Sequence, residues 1–187
     1  MDFMIIYVKN ALDKNTKKRY IIFMIKLART IFLILFFTTL LALVPAEDNN
    51  IPLTEIPSDW PIRNGLGEVT MFFGENTHPI TGEIFFHNGI DITTYRFGDA
   101  VAASADGQVI TAGYDYSLGN HIIIEHNHGF CTLYLHLQGI TVHTGQNVRQ
   151  GEIIGYIGST GMSLAPHLHF EIHLNSEAVD PLLYIGR

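Results

Sequence analysis

His167-Leu168-His169-Phe170-Glu171-Ile172-His173-Leu174, close to the end of the chain, alternates polar and apolar side chains over eight residues. Successive side chains of a β-strand point to opposite faces, so Leu168, Phe170, Ile172 and Leu174 form a face suited to a core. His167, His169, Glu171 and His173 then share the other face, which puts two neighbouring imidazoles side by side. Working outward, short runs rich in Val, Ile, Phe and Tyr recur at 69–73, 101–103, 108–112, 121–126, 130–135 and 153–157, and all 17 glycines fall after residue 60. No stretch beyond residue 60 keeps a helical period. The pattern predicts an all-β fold, a small antiparallel β-sheet or sandwich domain over residues 61–187, long enough to bury a core unaided.

The charge divides the chain in two. Up to Ala46 the formal charge is +5, and from Glu47 onward it is −12, with no lysine beyond Lys26; the whole chain carries −7. Lys26 and Arg29 precede the apolar run 31–44 (IFLILFFTTLLALV), followed by Pro45-Ala46 and the acidic Glu47-Asp48. Fourteen apolar residues are short for a spanning helix, which needs about 20. The segment 1–46 therefore reads as a secretory signal cut after Ala46, with an uncleaved anchor using the apolar stretch 20–25 as the alternative and Met24 as an alternative start. With no cysteine near the cut, a lipid anchor is not expected. Pro52, Pro57 and Pro61 break any regular element, and residues 47–60 are expected to form an extended linker.

Composition also excludes functions. A net-acidic chain lacks the clustered Lys and Arg that hold phosphate backbones, so no nucleic-acid partner is expected. A single cysteine, Cys131, forbids an internal disulfide and any zinc site of several thiolates, so a metal here must be held by imidazoles and carboxylates. All ten histidines lie after residue 77. Two clusters have ligand spacing: His87-Asn88-Gly89-Ile90-Asp91, where a glycine lets the chain turn between imidazole and carboxylate, and His167-Leu168-His169. A catalytic zinc site has three protein ligands and one open position, and His87, Asp91 and one of the pair His167/His169 would supply it. Zinc brings the pKa of a bound water toward about 7.

The residues flanking these clusters carry a resemblance. They run Phe73-Gly74, His78-Pro79-Ile80-Thr81-Gly82, Phe86-His87-Asn88-Gly89-Ile90-Asp91, Gly119-Asn120-His121-Ile122-Ile123-Ile124-Glu125-His126 and Thr132-Leu133-Tyr134-Leu135-His136-Leu137. Gly158-Ser159-Thr160-Gly161 and Pro166-His167-Leu168-His169-Phe170-Glu171 follow. In this order, over residues 69–174, the chain resembles the lysostaphin-type zinc endopeptidase family of cell-wall peptidases. The resemblance implies that His87, Asp91 and His169 bind one Zn2+ while His136 and His167 are catalytic imidazoles outside the ligand set. It implies a narrow groove with the active site on its floor, peptidoglycan stem or cross-link peptides as substrate, and a place in the periplasm, cell envelope or outside the cell. Three segments depart from the family pattern: Asn76 where many members have Arg, the bulky Tyr95-Arg96-Phe97-Gly98-Asp99 before the Ala-Val strand, and Leu164-Ala165 where Thr-Gly is commoner. They bear on substrate preference, because loops around a groove set specificity.

Glu171, two residues from His169 on the same face, is a candidate to orient a ligand imidazole. Asn120 and Tyr134 are candidates to line or brace the groove for substrate, against readings as a strand-end cap and a core aromatic. His78 is assigned to a structural loop, His121, His126, His128, His143 and His173 to strands and turns, and Cys131 to packing as a small hydrophobe. Two other functions fit parts of the pattern: a non-enzymatic adaptor that activates wall amidases, which would lack zinc ligands, and a phosphocarrier domain with paired histidines, which export argues against.

Overall fold

The computed structural model describes residues 19, 22–32, 51–78 and 81–186. The chain falls into two units, Met1–Asn49 and Asn50–Arg187. In the first, residues 22–32 are helical, and no helix among the described residues is long and apolar enough to cross a membrane. The expected cleavage after Ala46 and residues 33–44 of the apolar run lie outside the described residues, as do Pro79 and Ile80.

The second unit is built of short strands: β1 (Glu68–Met71), β2 (Gly74–Thr77), β3 (Ile84–His87), β4 (Ile90–Thr93), β5 (Ala100–Ala102), β6 (Gly107–Asp115), β7 (Gly119–Glu125), β8 (Phe130–Leu137), β9 (Gly139–Ile140), β10 (Asn147–Val148), β11 (Ile153–Tyr156), β12 (Leu168–Leu174) and β13 (Glu177–Val179). They make an eight-stranded sheet in the order β1-β4-β12-β8-β7-β6-β10, with β13 beside β12, a three-stranded sheet β5-β11-β9, and the two-stranded hairpin β2-β3. All pairings are antiparallel. The all-β antiparallel expectation holds, and each of the seven strands read from the sequence is present.

The alternation in β12 works as read. Leu168, Phe170 and Ile172 are fully buried and join Ile90, Ile92, Ile122, Ile124, Val101 and Ile154 in one core. Each such side chain taken from water contributes about 1.5–3 kcal/mol. β12 lies between β4 and β8, and His169 pairs directly with Asp91 of β4 and with Leu135 of β8. The crossing from hairpin to main sheet is made at Asn88-Gly89, and it needs glycine for closeness: a Cβ there would sit 2.3 Å from the Phe170 carbonyl oxygen.

The described part of the expected extended linker, residues 51–60, is tied to the rest of the second unit. A 3-10 turn forms at Leu53–Glu55. The Ser58 and Asp59 amides donate to the Ser104 carbonyl at 3.1 and 3.2 Å, and the Asp106 amide donates to the Thr54 carbonyl at 2.7 Å. Pro57 is buried, Ile56 packs on the core, and Trp60 is buried with Nε1 donating to the Leu66 carbonyl at 2.7 Å. The prolines forbid regular ladders, as expected, but leave carbonyls free to accept and apolar rings free to pack.

Candidate metal centre and groove

Three side chains from three strands converge. His87 ends β3, Asp91 sits in β4 and His169 in β12, and their ligand atoms all lie within 4.8 Å of one another. His169 Nδ1 is 2.8 Å from Asp91 Oδ1 and 3.0 Å from His87 Nε2, and His87 Nε2 is 3.2 Å from the same carboxylate oxygen. A tetrahedral zinc ion with ligand distances of about 2.0–2.1 Å holds its donors about 3.3 Å apart, so these spacings fit one with little movement.

The outer hydrogen bonds fix which nitrogen faces inward. His87 Nδ1 is 3.0 Å from the Phe72 carbonyl, to which only an N–H can be offered, so Nε2 presents its lone pair to the centre. His169 Nε2 is 2.9 Å from Glu171 Oε1, which leaves Nδ1 facing Asp91. Glu171 is buried, and its other oxygen lies 2.5 Å from His173 Nε2. Three lone-pair donors meeting at this distance repel unless a cation lies among them. Before a metal binds, protons take that place: burial pushes the Asp91 carboxyl up, but hydrogen bonds donated by protonated His169 and by His87 outweigh it and hold the group well below the usual carboxylate range. Burial likewise depresses His169, yet the Asp91 and Glu171 carboxylates prevail and raise it to about 9. Two nitrogens and one oxygen, with no thiolate, suit zinc.

His136 and His167 stand beside these donors. Their ring centroids are 5.0 Å apart, His136 is 6.1 Å from the His169 ring, and His167 Nε2 is 3.8 Å from Asp91 Oδ1. Each gives Nδ1 to a backbone carbonyl, His136 to Thr160 at 2.9 Å and His167 to Ala165 at 2.8 Å, which leaves both Nε2 atoms as acceptors. Burial and the neighbouring imidazoles lower the His136 pKa, which favours its neutral form. Its direction comes from a bulge: between the pairs Asn120↔Leu137 and Ile122↔Tyr134, one residue of β7 faces two of β8. His136 takes φ 63° there, and an extra residue in a strand re-aims the side chain that follows. Nothing in the residue types signals this bulge.

These five side chains line one cleft of about 620 Å³ together with Thr93, Tyr95, Met162 and Leu164. Neither Asn120 nor Tyr134 is among the residues that line it. Tyr134 is fully buried on the core face, where its hydroxyl accepts the Ser104 amide at 2.9 Å and lies 3.1 Å from Thr132 Oγ1; it cannot touch substrate. The sequence places Tyr134 in phase with polar Thr132, and that hydroxyl is satisfied internally by His126 Nε2 at 2.7 Å. Asn120 braces the groove from behind, its Nδ2 donating to the Leu137 and Gln138 carbonyls at 3.1 and 3.3 Å. His78, assigned to a structural loop, also lines the cleft, whereas His121, His126, His128 and His143 take local partners away from it.

Comparison with known proteins agrees with this geometry. The chain is 38% identical over 124 residues to the peptidoglycan DD-endopeptidase ShyB of Vibrio cholerae, covering 66% of this chain and 29% of that protein. It is 44% identical over 110 residues to the DD-carboxypeptidase/endopeptidase Mpg of Neisseria meningitidis serogroup B, covering 59% and 25%. It thus spans only about a quarter to three tenths of these relatives' length. Among solved structures, the catalytic domain of the antimicrobial peptidase lysostaphin from Staphylococcus simulans superposes with a TM-score of 0.56, with 35% identity over 63% of this chain and 91% of that one. A model of peptidase family M23 matches residues 85–181. The matched residues include His87, Asp91, His136, His167 and His169 and make up more than half of the chain, which belongs to peptidase family M23.

Proposed function

We propose that this protein is a zinc metalloendopeptidase, exported to the cell envelope, that hydrolyses peptide bonds of peptidoglycan stem or cross-link peptides. His87, Asp91 and His169 hold one Zn2+, and His136 and His167 are the catalytic imidazoles. The observation that carries the reading is the set of three donors spaced 2.8–3.2 Å apart beside two imidazoles whose Nε2 lone pairs are free. The named relatives, DD-endopeptidases by description, support the substrate class. Export is supported by the basic and apolar pattern of residues 1–46.

The ion, once bound, polarises a carbonyl and acidifies a water. The chain's own groups do the rest. The Phe72 carbonyl on His87 and the Glu171 carboxylate on His169 keep the ligand imidazoles in one tautomer and orientation. His136, whose neutral form burial favours, offers Nε2 as a proton acceptor for the attacking water, and the imidazolium so formed can donate to the leaving amine or to the developing oxyanion. His167, its Nδ1 tied to Ala165, offers a second nitrogen at the same place.

Zinc analysis and a cell-wall zymogram with and without chelator test this together. His169→Ala is expected to lose both metal and clearing, and His136→Ala to keep stoichiometric zinc while losing turnover. Stoichiometric zinc in purified His169→Ala contradicts the ligand set, and a folded, zinc-loaded wild type that clears no wall contradicts the hydrolytic reading.

A further inference from the structure

The stretch that carries the chain from β1 into the hairpin β2-β3 lies in the open, yet one of its carbonyls faces a proposed metal ligand. Phe72 is 58% exposed, and a Cβ at Gly74 would meet nothing within 4 Å. Gly74 has φ 107°, in the left-handed region that glycine enters without strain. Between them Phe73 packs on the core, its ring edge-on to Phe86 at 5.2 Å. Packing fixes the middle of the turn and leaves the peptide that carries the Phe72 carbonyl to be aimed by hydrogen bonds.

Two donors converge on that carbonyl. His87 Nδ1 is 3.0 Å away, and Nδ2 of the half-buried Asn76 donates to it at 2.8 Å. The same Asn76 nitrogen donates to the Gly74 carbonyl at 3.0 Å. Both partners are carbonyl oxygens, so the NH2 end of the side chain, and not its oxygen, must face them. Gly74 is the residue paired with His87 across the hairpin. One amide thus grips both the acceptor of the His87 imidazole and the ladder partner of the His87 backbone.

The two ligand imidazoles are supported unequally. His169 is held by the buried Glu171 carboxylate, which His173 contacts in turn. His87 has only a neutral carbonyl on an exposed turn. A hydrogen bond to an ionised acceptor is roughly twice as strong as a neutral one, so the aim of His87 depends more on whatever fixes its acceptor. Asn76 also stands where many members of the family have Arg. A guanidinium would bring a fixed positive charge toward the place of a cation, whereas the amide supplies two donors and no charge.

Resting on the proposed zinc centre, we propose that Asn76 is a positioning residue for the metal ligand His87. By holding the Phe72 and Gly74 carbonyls on one amide, it keeps the His87 Nδ1 proton engaged and Nε2 turned toward the other donors. Outer partners of ligand imidazoles are worth about 10- to 100-fold in metal affinity, and Asn76, one bond further out, is assigned about tenfold.

The test reads zinc affinity and the ligand protons of the full chain, neither of which needs turnover. Competition with a chromophoric chelator at fixed pH gives the affinity, and long-range 1H–15N spectra of the zinc-loaded protein follow the His87 Nδ1 and His169 Nε2 protons. Asn76→Ala is expected to bind zinc about tenfold more weakly and to exchange the His87 proton with solvent severalfold faster, while the His169 proton keeps its wild-type rate. Asn76→Asp, alike in shape but without the N–H donors, is expected to lose at least as much, because it turns carboxylate oxygens toward two carbonyl oxygens. Affinity and His87 proton exchange within twofold of wild type in both variants overturn the proposal. Equal acceleration of both protons, or failure of both variants to fold, also overturns it, since either makes Asn76 a residue of the fold rather than of the site. A wild type that binds zinc but clears no cell wall strikes the peptidase function and leaves this proposal standing; a wild type that binds no zinc strikes both.

Discussion

Glu171→Gln is the perturbation that most directly weighs the support behind the metal ligands. In the native protein Glu171 Oε1 accepts from His169 Nε2 at 2.9 Å and Oε2 from His173 Nε2 at 2.5 Å, with the side chain 11% exposed. Glutamine has nearly the same shape and can keep one of these roles: its amide oxygen can accept from His169 while its NH2 faces a His173 ring that has shifted its proton to Nδ1. What disappears is charge. A hydrogen bond to a charged group contributes about 1.5–3 kcal/mol and a neutral one about 0.5–1.5 kcal/mol. The loss of about 1–1.5 kcal/mol corresponds to about tenfold weaker zinc binding. Glu171→Ala leaves the His169 N–H buried with no acceptor, and outer partners of this kind are worth up to about a hundredfold in metal affinity. Competition against a chromophoric chelator at fixed pH reads both values without reference to catalysis. The expected order is wild type, then Gln, then Ala. Zinc affinities of both variants within twofold of wild type would refute the reasoning, whatever happened to activity.

Two further perturbations test the frame around the site. Gly89→Ala places a Cβ 2.3 Å from the Phe170 carbonyl oxygen and 2.9 Å from Glu171 Cγ, and the backbone on both sides belongs to the sheet that carries Asp91 and His169. A cost of about 3 kcal/mol lowers the melting midpoint by about 10 °C, and a midpoint equal to wild type contradicts the close approach. The second concerns pH: burial lowers the pKa of His126, so the unfolded chain takes up its proton first and stability falls as pH drops below about 6.5. Between pH 6.5 and 5.0 the thermal midpoint of wild type is therefore expected to fall more steeply than that of His126→Gln, and equal slopes contradict the assignment.

The parts of the fold that the sequence made legible are those where period-2 patterning coincides with burial. β12 is the clearest case: its apolar set is the core set, and its polar set contains the proposed ligand imidazole His169 and the carboxylate of Glu171 that bonds to it. The hairpin β2-β3 escaped because Ile84-Phe85-Phe86-His87 has no polar alternation; Phe85 faces the cleft while Ile84 and Phe86 lie exposed. Tyr134 left a groove and a core reading open for the opposite reason, since a core that satisfies Thr132, Ser104 and His126 among themselves lets polar residues occupy the inward phase. The convergence of His87, Asp91 and His169 followed from spacing and resemblance together, but the aim of His136 depends on a two-against-one register that no residue type announces.

The three converging donors do not belong to one sheet. His87 closes the small hairpin, whereas Asp91 and His169 are paired neighbours in the large sheet. An ion gripped by all three acts as a rivet between two independently hydrogen-bonded bodies, on a wall of the cleft to which Phe85 and His78 of the hairpin side contribute. On the proposed function, acquiring the metal and shaping the cleft are therefore linked thermodynamically, and a chelator is expected to loosen the architecture as well as stop the chemistry.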